Sequence, residues 1–349
     1  MHIFIPFLLF FLVISNVDAR SQSIELTEKN KNAFQAKSES PYISKFAQWG
    51  DNEFLVKYTD DRKTRRHIDV SLGFRYLMTN SIVPSKVDEW DYAVAIAYQG
   101  EFDFFALTRE SSPVVTTRHN PSIFYTRFRN PRFNRLSSWL LSLEHESNGQ
   151  VTDTLLGLQS KMQEFAIDYQ DDPDVSQQDI FEMAQQTISR SNNFAAVGFN
   201  YQLGNLQNEC NLPFSCTEVF FKFRQQLDNV PEDDNWWLPN DHAKLKQHVG
   251  TMLDISTRFN AGNIDQSIRV RYQTGQLLDG GKPFDKHTFD LKYYIDVPVG
   301  RLLSSMFSTE KTELFSIPIV VRYHHGYLDE LYNYSSKVSY FSIGLHARY

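Results

Sequence analysis

The sequence predicts an all-β fold, a transmembrane antiparallel β-barrel, in which about twelve strands can be placed. Three observations carry this expectation. From about Glu53 onward the chain consists of segments that alternate apolar and polar residues, the period-2 signature of a strand with two unlike faces. Residues 1–19 read as a secretory signal peptide, with the apolar run Ile3 to Ile14 followed by Val17 and Ala19 at the small-residue positions. No later run of ~20 apolar residues appears, so membrane residence would have to come from a closed barrel. Finally, the chain ends Phe341-Ser342-Ile343-Gly344-Leu345-His346-Ala347-Arg348-Tyr349, alternating down to a terminal aromatic as outer membrane barrels commonly do.

The elements follow in order. Residues 20–50 are polar and charged and read as a periplasmic lead-in, and residues 51–349 as the barrel domain. Strands are expected near 53–59, 66–78, 90–106, 121–129, 137–147, 192–203, 216–226, 246–259, 264–275, 286–298, 313–327 and 336–349. The stretch His67–Tyr76 shows the logic. Ile68, Val70, Leu72, Phe74 and Tyr76 share one face, and Asp69, Ser71, Gly73 and Arg75 the other. Phe289–Ile295 and Phe315–Tyr323 repeat it, and Ile268, Val270 and Tyr272 alternate with Arg269 and Arg271. Alternation alone does not say which face is inside; a soluble sandwich would alternate too. The charges on the second face, together with the signal peptide, favour a barrel with its apolar side outward.

Two stretches break the alternation. Residues 150–188 are acidic, with a short helix expected around Leu155 to Tyr169, and read as an extracellular insertion. Residues 227–245, with Trp236-Trp237, read as a second long loop on the same side. Cys210 and Cys216 lie close together, which suits a local staple in an oxidising compartment or two free thiols. Their spacing matches no zinc site. The whole chain has 349 residues, 41% of them hydrophobic and 14% aromatic, with a formal charge of −7. That charge argues against a nucleic-acid partner, and the aromatics suit interfacial girdles.

Chemistry concentrates in Leu143-Glu144-His145-Glu146-Ser147-Asn148-Gly149. In a strand, His145 and Ser147 point the same way, and the same face continues back through Leu143, Leu141 and Trp139. The other face carries Ser138, Ser142, Glu144 and Glu146, with Leu140 as the exception. A base and a hydroxyl at the end of an apolar stripe suit an enzyme with an apolar substrate. Serine becomes a useful nucleophile when a neighbouring base takes its proton, and that base needs a third group to fix its ring.

His145-Glu146-Ser147-Asn148-Gly149 resembles the His-x-Ser-Asn-Gly active-site signature of the outer membrane phospholipase A family. Ser189-Arg190-Ser191-Asn192-Asn193 is similar to that family's Ser-Arg-Ser-x-Asn element. Glu110-Ser111-Ser112-Pro113, running on to Asn120-Pro121, resembles its upstream calcium-side segment. The three lie in the family's order, and the likeness spans residues 50 to 349. It implies a barrel of twelve antiparallel strands in a Gram-negative outer membrane. It also implies phospholipase A1/A2 activity: hydrolysis of the sn-1 and sn-2 acyl esters of glycerophospholipids, and of lysophospholipids, by a Ser-His-Asn triad on the lipid-facing wall.

Residue by residue, the resemblance makes Ser147 the nucleophile, His145 the base, Asn193 the orienting amide and the Gly149 amide an oxyanion donor. It implies a calcium ion held by the main chain of Gln150, by Ser189 and by Ser111 of the partner subunit, and hence an active homodimer. Gln99 matches a polar residue at the family's dimer face, or is an ordinary lumen or rim glutamine. Arg190 either holds the loop or meets lipid phosphate. The family's Trp and second Arg are lost in Asn192-Asn193-Phe194, which makes Asn192 a rival to Asn193. Two alternatives stand beside this reading: another outer membrane lipid hydrolase such as a lipid A deacylase, and a porin-like barrel without enzymatic activity.

Overall fold

The structure is a computed structural model, and it describes residues 46–58, 66–79, 90–104, 114–129, 135–150, 152, 154–173, 175–203, 217–227, 250–261, 264–275, 286–297, 316–327 and 337–347. The expected signal peptide, most of the lead-in, both cysteines, Ser111, most of the 227–245 loop and the terminal Tyr349 lie outside these residues.

Thirteen strands form one antiparallel sheet: β1 Phe46–Gln48, β2 Glu53–Tyr58, β3 Arg66–Leu77, β4 Asp91–Phe104, β5 Val114–Phe128, β6 Arg135–Ser147, β7 Ser191–Leu203, β8 Thr217–Gln226, β9 Thr251–Ala261, β10 Ile264–Thr274, β11 Thr288–Val297, β12 Ile317–Gly326 and β13 Val338–His346. Each strand from β2 to β13 pairs with its sequence neighbour, and β13 pairs back onto β2 with Ile343 opposite Val56. The result is a closed barrel of twelve strands, so the sheet has no long open edge to satisfy. No helix among the described residues is long and apolar enough to cross a membrane.

The short β1 was not expected, since it falls in the polar lead-in. It pairs with β3 in line with β2, Gln48 opposite Phe74 and Glu53 opposite Ser71. The two pieces are therefore one barrel strand interrupted at Trp49–Asn52. The interruption is ordered by its own side chains. Asn52 accepts a hydrogen bond from the Gly73 amide and donates to the Gly73 carbonyl, and Gly50 takes a φ of 66°. The break turns two side chains inward. Trp49 stacks on Phe124 with ring centroids 4.4 Å apart, and Asp51 reaches Arg269 at 2.6 Å and Lys292 at 2.8 Å. β5 also starts earlier than the expected residue 121. Pro121, which has no N–H for the ladder, reads as a boundary, yet the strand runs through it with Pro121 opposite Tyr98.

The structure settles which face is which. Leu72, Phe74, Tyr76, Ile96, Ile123 and Ile343 are exposed on the outer wall. Their neighbours Asp69, Ser71, Asp103, Asp254, Asp290, Lys292 and Arg322 are buried inside. Buried charges have to be paired, and here they are. Arg322 bridges Asp69 at 3.0 Å and Asp290 at 2.7 Å, Arg269 holds Asp254 at 2.5 Å, and Lys292 holds Glu53 at 2.7 Å. An apolar exterior around a charged interior is the arrangement a barrel needs when its solvent outside is lipid.

Among the described residues of the 150–188 stretch, two helices form a hairpin. α1 spans Leu155–Asp168, as expected from the sequence, and α2 spans Gln177–Gln185, which was not expected. Thr154 caps α1 by accepting from the Gly157 amide at 3.1 Å. At α2, Ser176 and Asp179 bond reciprocally, Asp179 accepting from the Ser176 amide at 2.7 Å, a capping box. Leu158, Ala184 and Ile188 form a small core of their own, with Met162, Phe165 and Phe181 packed against it.

Candidate active site

β6 and β7 are the pair that carries the motifs, in a register that sets His145 opposite Asn193, Glu146 opposite Asn192 and Ser147 opposite Ser191. Leu141 is 50% and Leu143 57% exposed, while Ser142, Glu144 and Glu146 are buried in the lumen. His145 and Ser147 therefore lie on the outer wall, at the end of β6, as the stripe predicts. Leu140 breaks the alternation without strain. It fills the space left by Gly198, where an added Cβ would come within 2.9 Å of the leucine Cγ.

The Nδ1 of His145 is 2.9 Å from the Oδ1 of Asn193. An amide oxygen can only accept, so the Nδ1 carries the proton and the Nε2 keeps its lone pair. That leaves the nitrogen on the far side of the ring free to act as a base. Asn192, the rival, faces the lumen and accepts from Gln226 at 3.1 Å. Glu144 and Glu146 also face inward. Arg224 pairs with Glu146 at 2.7 Å and Lys222 pairs with Glu144, while Arg224 stacks over the Phe194 ring at 3.9 Å. These ion pairs sit directly behind the His145–Ser147 face and hold the strand that presents it.

Asn148 joins the end of β6 to the returning chain. Its side chain donates to the Ile188 carbonyl at 2.6 Å and accepts from the Arg190 amide at 2.9 Å, and its own amide donates to the Arg190 carbonyl at 3.1 Å. Beyond it, Thr152 donates to the Thr187 carbonyl at 3.0 Å and accepts from the Ser189 amide at 2.8 Å. Gln150 lies between these two ties and Ser189 opposite, so two of the expected calcium-side residues are brought to one place. Arg190 is buried, 1% exposed, which removes its guanidinium from contact with lipid phosphate. Gln99 also turns inward, lining the lumen beside Gly50 and Asn120. Its parity on β4 is opposite to that of the exposed Ile96, so of the two readings the lumen one holds.

The donor set suits a hard cation in kind, with a serine hydroxyl and a main-chain carbonyl as neutral oxygens. No group of three or more His, Cys, Asp or Glu side chains that could hold a metal occurs among the described residues. Two neutral donors are far from filling a calcium shell of 6–8 oxygens.

Gly149 has a φ of 65°, a region that L side chains avoid at a cost of roughly 1–2 kcal/mol. A Cβ there would also come within 2.6 Å of the Nε2 of His119. Gly149→Ala is therefore expected to lower turnover by at least tenfold, about 1.4 kcal/mol of barrier, with the barrel still folded. Unchanged turnover would show that the glycine backbone has no part in the site. His119 and its partner Tyr98 were missed by the sequence reading, which took Asn120-Pro121 as a calcium-side segment and passed over the histidine before it. Its place is evident only from pairing, where His119 lies opposite Ser147.

Beside His145 the outer wall has an apolar groove of ≈ 660 Å³, lined by Phe74, Ile96, Ile123, Leu143 and Leu227 among others.

No protein-family model matches the chain, and no curated protein gives a significant match. Among solved structures, outer membrane phospholipase A from Escherichia coli superposes with a TM-score of 0.51 at 14% identity, covering 87% of this chain and 98% of that one. The Salmonella typhi outer membrane phospholipase dimer with bound calcium superposes with a TM-score of 0.51 at 14% identity, covering 89% and 94%. At that identity the likeness is one of fold. The chain has the fold of outer membrane phospholipase A, a Gram-negative outer membrane β-barrel.

Proposed function

We propose that this barrel is an outer membrane phospholipase that hydrolyses acyl esters of glycerophospholipids at the sn-1 and sn-2 positions, and of lysophospholipids. The observation that carries the reading is the 2.9 Å contact of His145 Nδ1 with Asn193 Oδ1, on a lipid-facing wall two residues from Ser147. A soluble hydrolase has no use for a Ser-His-Asn set facing lipid, and neither has a pore. Ion pairs inside the lumen between strands that are not neighbours, such as Asp51 with Arg269, argue further against an open channel and so against the porin-like alternative.

In this mechanism the Ser147 hydroxyl attacks the ester carbonyl carbon while the Nε2 of His145 takes its proton. Asn193 keeps the ring in the tautomer that can do so. The carbonyl electrons move onto oxygen, where the Gly149 amide donates a hydrogen bond. Collapse expels the lysolipid alkoxide, which takes the proton from His145 and leaves an acyl-serine that water hydrolyses by the same route. The adjoining groove offers a bed for the acyl chain. Purified barrel in mixed micelles should release fatty acid from phosphatidylcholine. If no acyl ester of phospholipid or lysophospholipid is cleaved, the proposal fails.

Calcium belongs to the same proposal, with Gln150 and Ser189 on one subunit and Ser111 of the partner subunit as its ligands. When bound, the ion supplies positive charge beside the developing oxyanion. Its removal with a chelator should lower hydrolysis by ~10²–10³-fold while the folded barrel keeps its heat-shifted mobility on a gel. Mixing Ser111→Ala and Ser147→Ala proteins should restore part of the activity, because one site in the mixed dimer is then complete. Full activity of dispersed monomers in chelator would remove calcium and the dimer from the mechanism and leave the triad standing.

A further inference from the structure

A second histidine stands on the other side of Ser147, and nothing so far has used it. His119 on β5 is the cross-strand partner of Ser147 on β6. Its Nε2 lies against the Gly149 backbone, closely enough that a Cβ on the glycine would meet it at 2.6 Å. Its Nδ1 is hydrogen-bonded to the Tyr98 hydroxyl, and the Phe102 ring packs on it edge-on at 6.0 Å between centroids. The imidazole is thus held from two sides with its Nε2 aimed at the glycine whose amide serves the oxyanion.

The two histidines carry opposite partners on Nδ1, and this decides their chemistry. Asn193 Oδ1 can only accept, which leaves His145 Nε2 with a lone pair. A neutral phenol has a proton to place, and among the described residues the Tyr98 hydroxyl finds no acceptor besides His119 Nδ1. Tyr98 therefore donates, and His119 bears its proton on Nε2. One ring is set as a base and the other as a donor. We infer that His119 is a second oxyanion donor, its Nε2–H adding to the Gly149 amide where negative charge develops on the attacked carbonyl, with Tyr98 as the positioning residue that fixes its tautomer. The inference rests on the phospholipase reading above. No bond to His119 forms or breaks. Ser147 Oγ bonds to the carbonyl carbon, its proton passes to His145, the π electrons move to oxygen, and His119 keeps its proton throughout.

Phosphatidylcholine hydrolysis in mixed micelles tests this with three variants and one spectrum. His119→Phe should lower kcat by on the order of 10²-fold with little change in KM, the size expected for one oxyanion donor. His119→Gln, whose side-chain amide can still donate, should recover part of that loss. A phosphonate ester, whose adduct on Ser147 mimics the tetrahedral intermediate, should react more slowly with His119→Phe by a similar factor. In the wild-type barrel in micelles, ¹⁵N shifts should report His119 protonated on Nε2, and Tyr98→Phe should let the other tautomer appear. Folding of each variant is read by its heat-shifted mobility, and the wild-type spectrum needs no variant at all. A kcat within about threefold of wild type for His119→Phe, or a raised KM with unchanged kcat, overturns the inference. So does a spectrum with the proton on Nδ1. If His119→Gln rather than His145→Gln abolishes the acid limb of the kcat/KM profile, His119 is the base and the inference falls. Failure of the phospholipase reading looks different, since wild-type protein would then cleave no acyl ester.

Discussion

Ser147→Ala and His145→Ala should each reduce phospholipid hydrolysis by roughly 10⁴–10⁶-fold, because nucleophile and base act as one unit and removing either leaves little for the other to do. Asn193→Ala should be milder. It frees the imidazole of His145 to rotate and change tautomer but removes neither reacting group, so a residual rate well above that of the serine variant is expected. Asn192→Ala, although adjacent in sequence, alters a lumen hydrogen bond to Gln226 and should leave kcat near wild type. Fatty-acid release by the four variants in the same mixed micelles gives the ranking. If the Asn192 change is the more damaging of the two, the β6–β7 register described above is one residue out of line with the chemistry.

The largest stability effect should come from behind the site. Arg224→Ala removes the 2.7 Å partner of Glu146 and the second partner of Glu144, at 3.8 Å. Both carboxylates are nearly inaccessible, with side chains 3% and 5% exposed, so water offers them little compensation. Breaking such a buried pair costs about 3–5 kcal/mol. Arg118 remains 3.4 Å from Glu146, and Lys222 remains on Glu144, which places the expected loss toward the lower end. A urea unfolding curve in detergent should show it as a fall in midpoint. Lys161→Ala is the internal comparison. Its pair with Glu164 is solvent-exposed, at 35% and 51%, and its loss should cost ~0.5 kcal/mol or less. Similar shifts for the two variants would mean that the lumen pairs are no stronger than surface ones.

Most of the barrel was legible because alternation is a local signal, readable without knowing what lies opposite. His67–Tyr76 shows its two faces in ten letters, while the count of twelve strands came with the family resemblance. The parity of β6 likewise put His145 and Ser147 on one face with Leu141 and Leu143. What escaped is either too short or needs distant partners. β1 has three residues and is visible only through its pairing with β3, and Asp51 just beyond it meets Arg269 and Lys292 from far along the chain. α2 has an Ser176-Gln177-Gln178-Asp179 capping box that the sequence displays, but its polar face and nine residues blurred the helical period. His119 gives no local sign at all, because a histidine on a strand two residues before a proline becomes notable only when the register sets it against Ser147. The choice between Asn192 and Asn193 was open for the same kind of reason, and alternate pointing along β7 decides which of them can reach the imidazole.

The alternation along β6 has a consequence for how errors in assembly are handled. His145 and Ser147 face lipid only in the pairing where Glu144 and Glu146 face the lumen and meet Lys222 and Arg224. Slipping the strand by one residue exchanges the two sets at a stroke. The misassembled wall would present two carboxylates to hydrocarbon, leave two cations inside without them, and turn the histidine and serine toward the charged interior. Such a barrel would be penalised by the bilayer before any substrate reached it. The membrane thus selects for the pairing that presents this face, and a correctly inserted barrel is one whose His145 and Ser147 face the bilayer, the side from which the proposed lipid substrate would reach them.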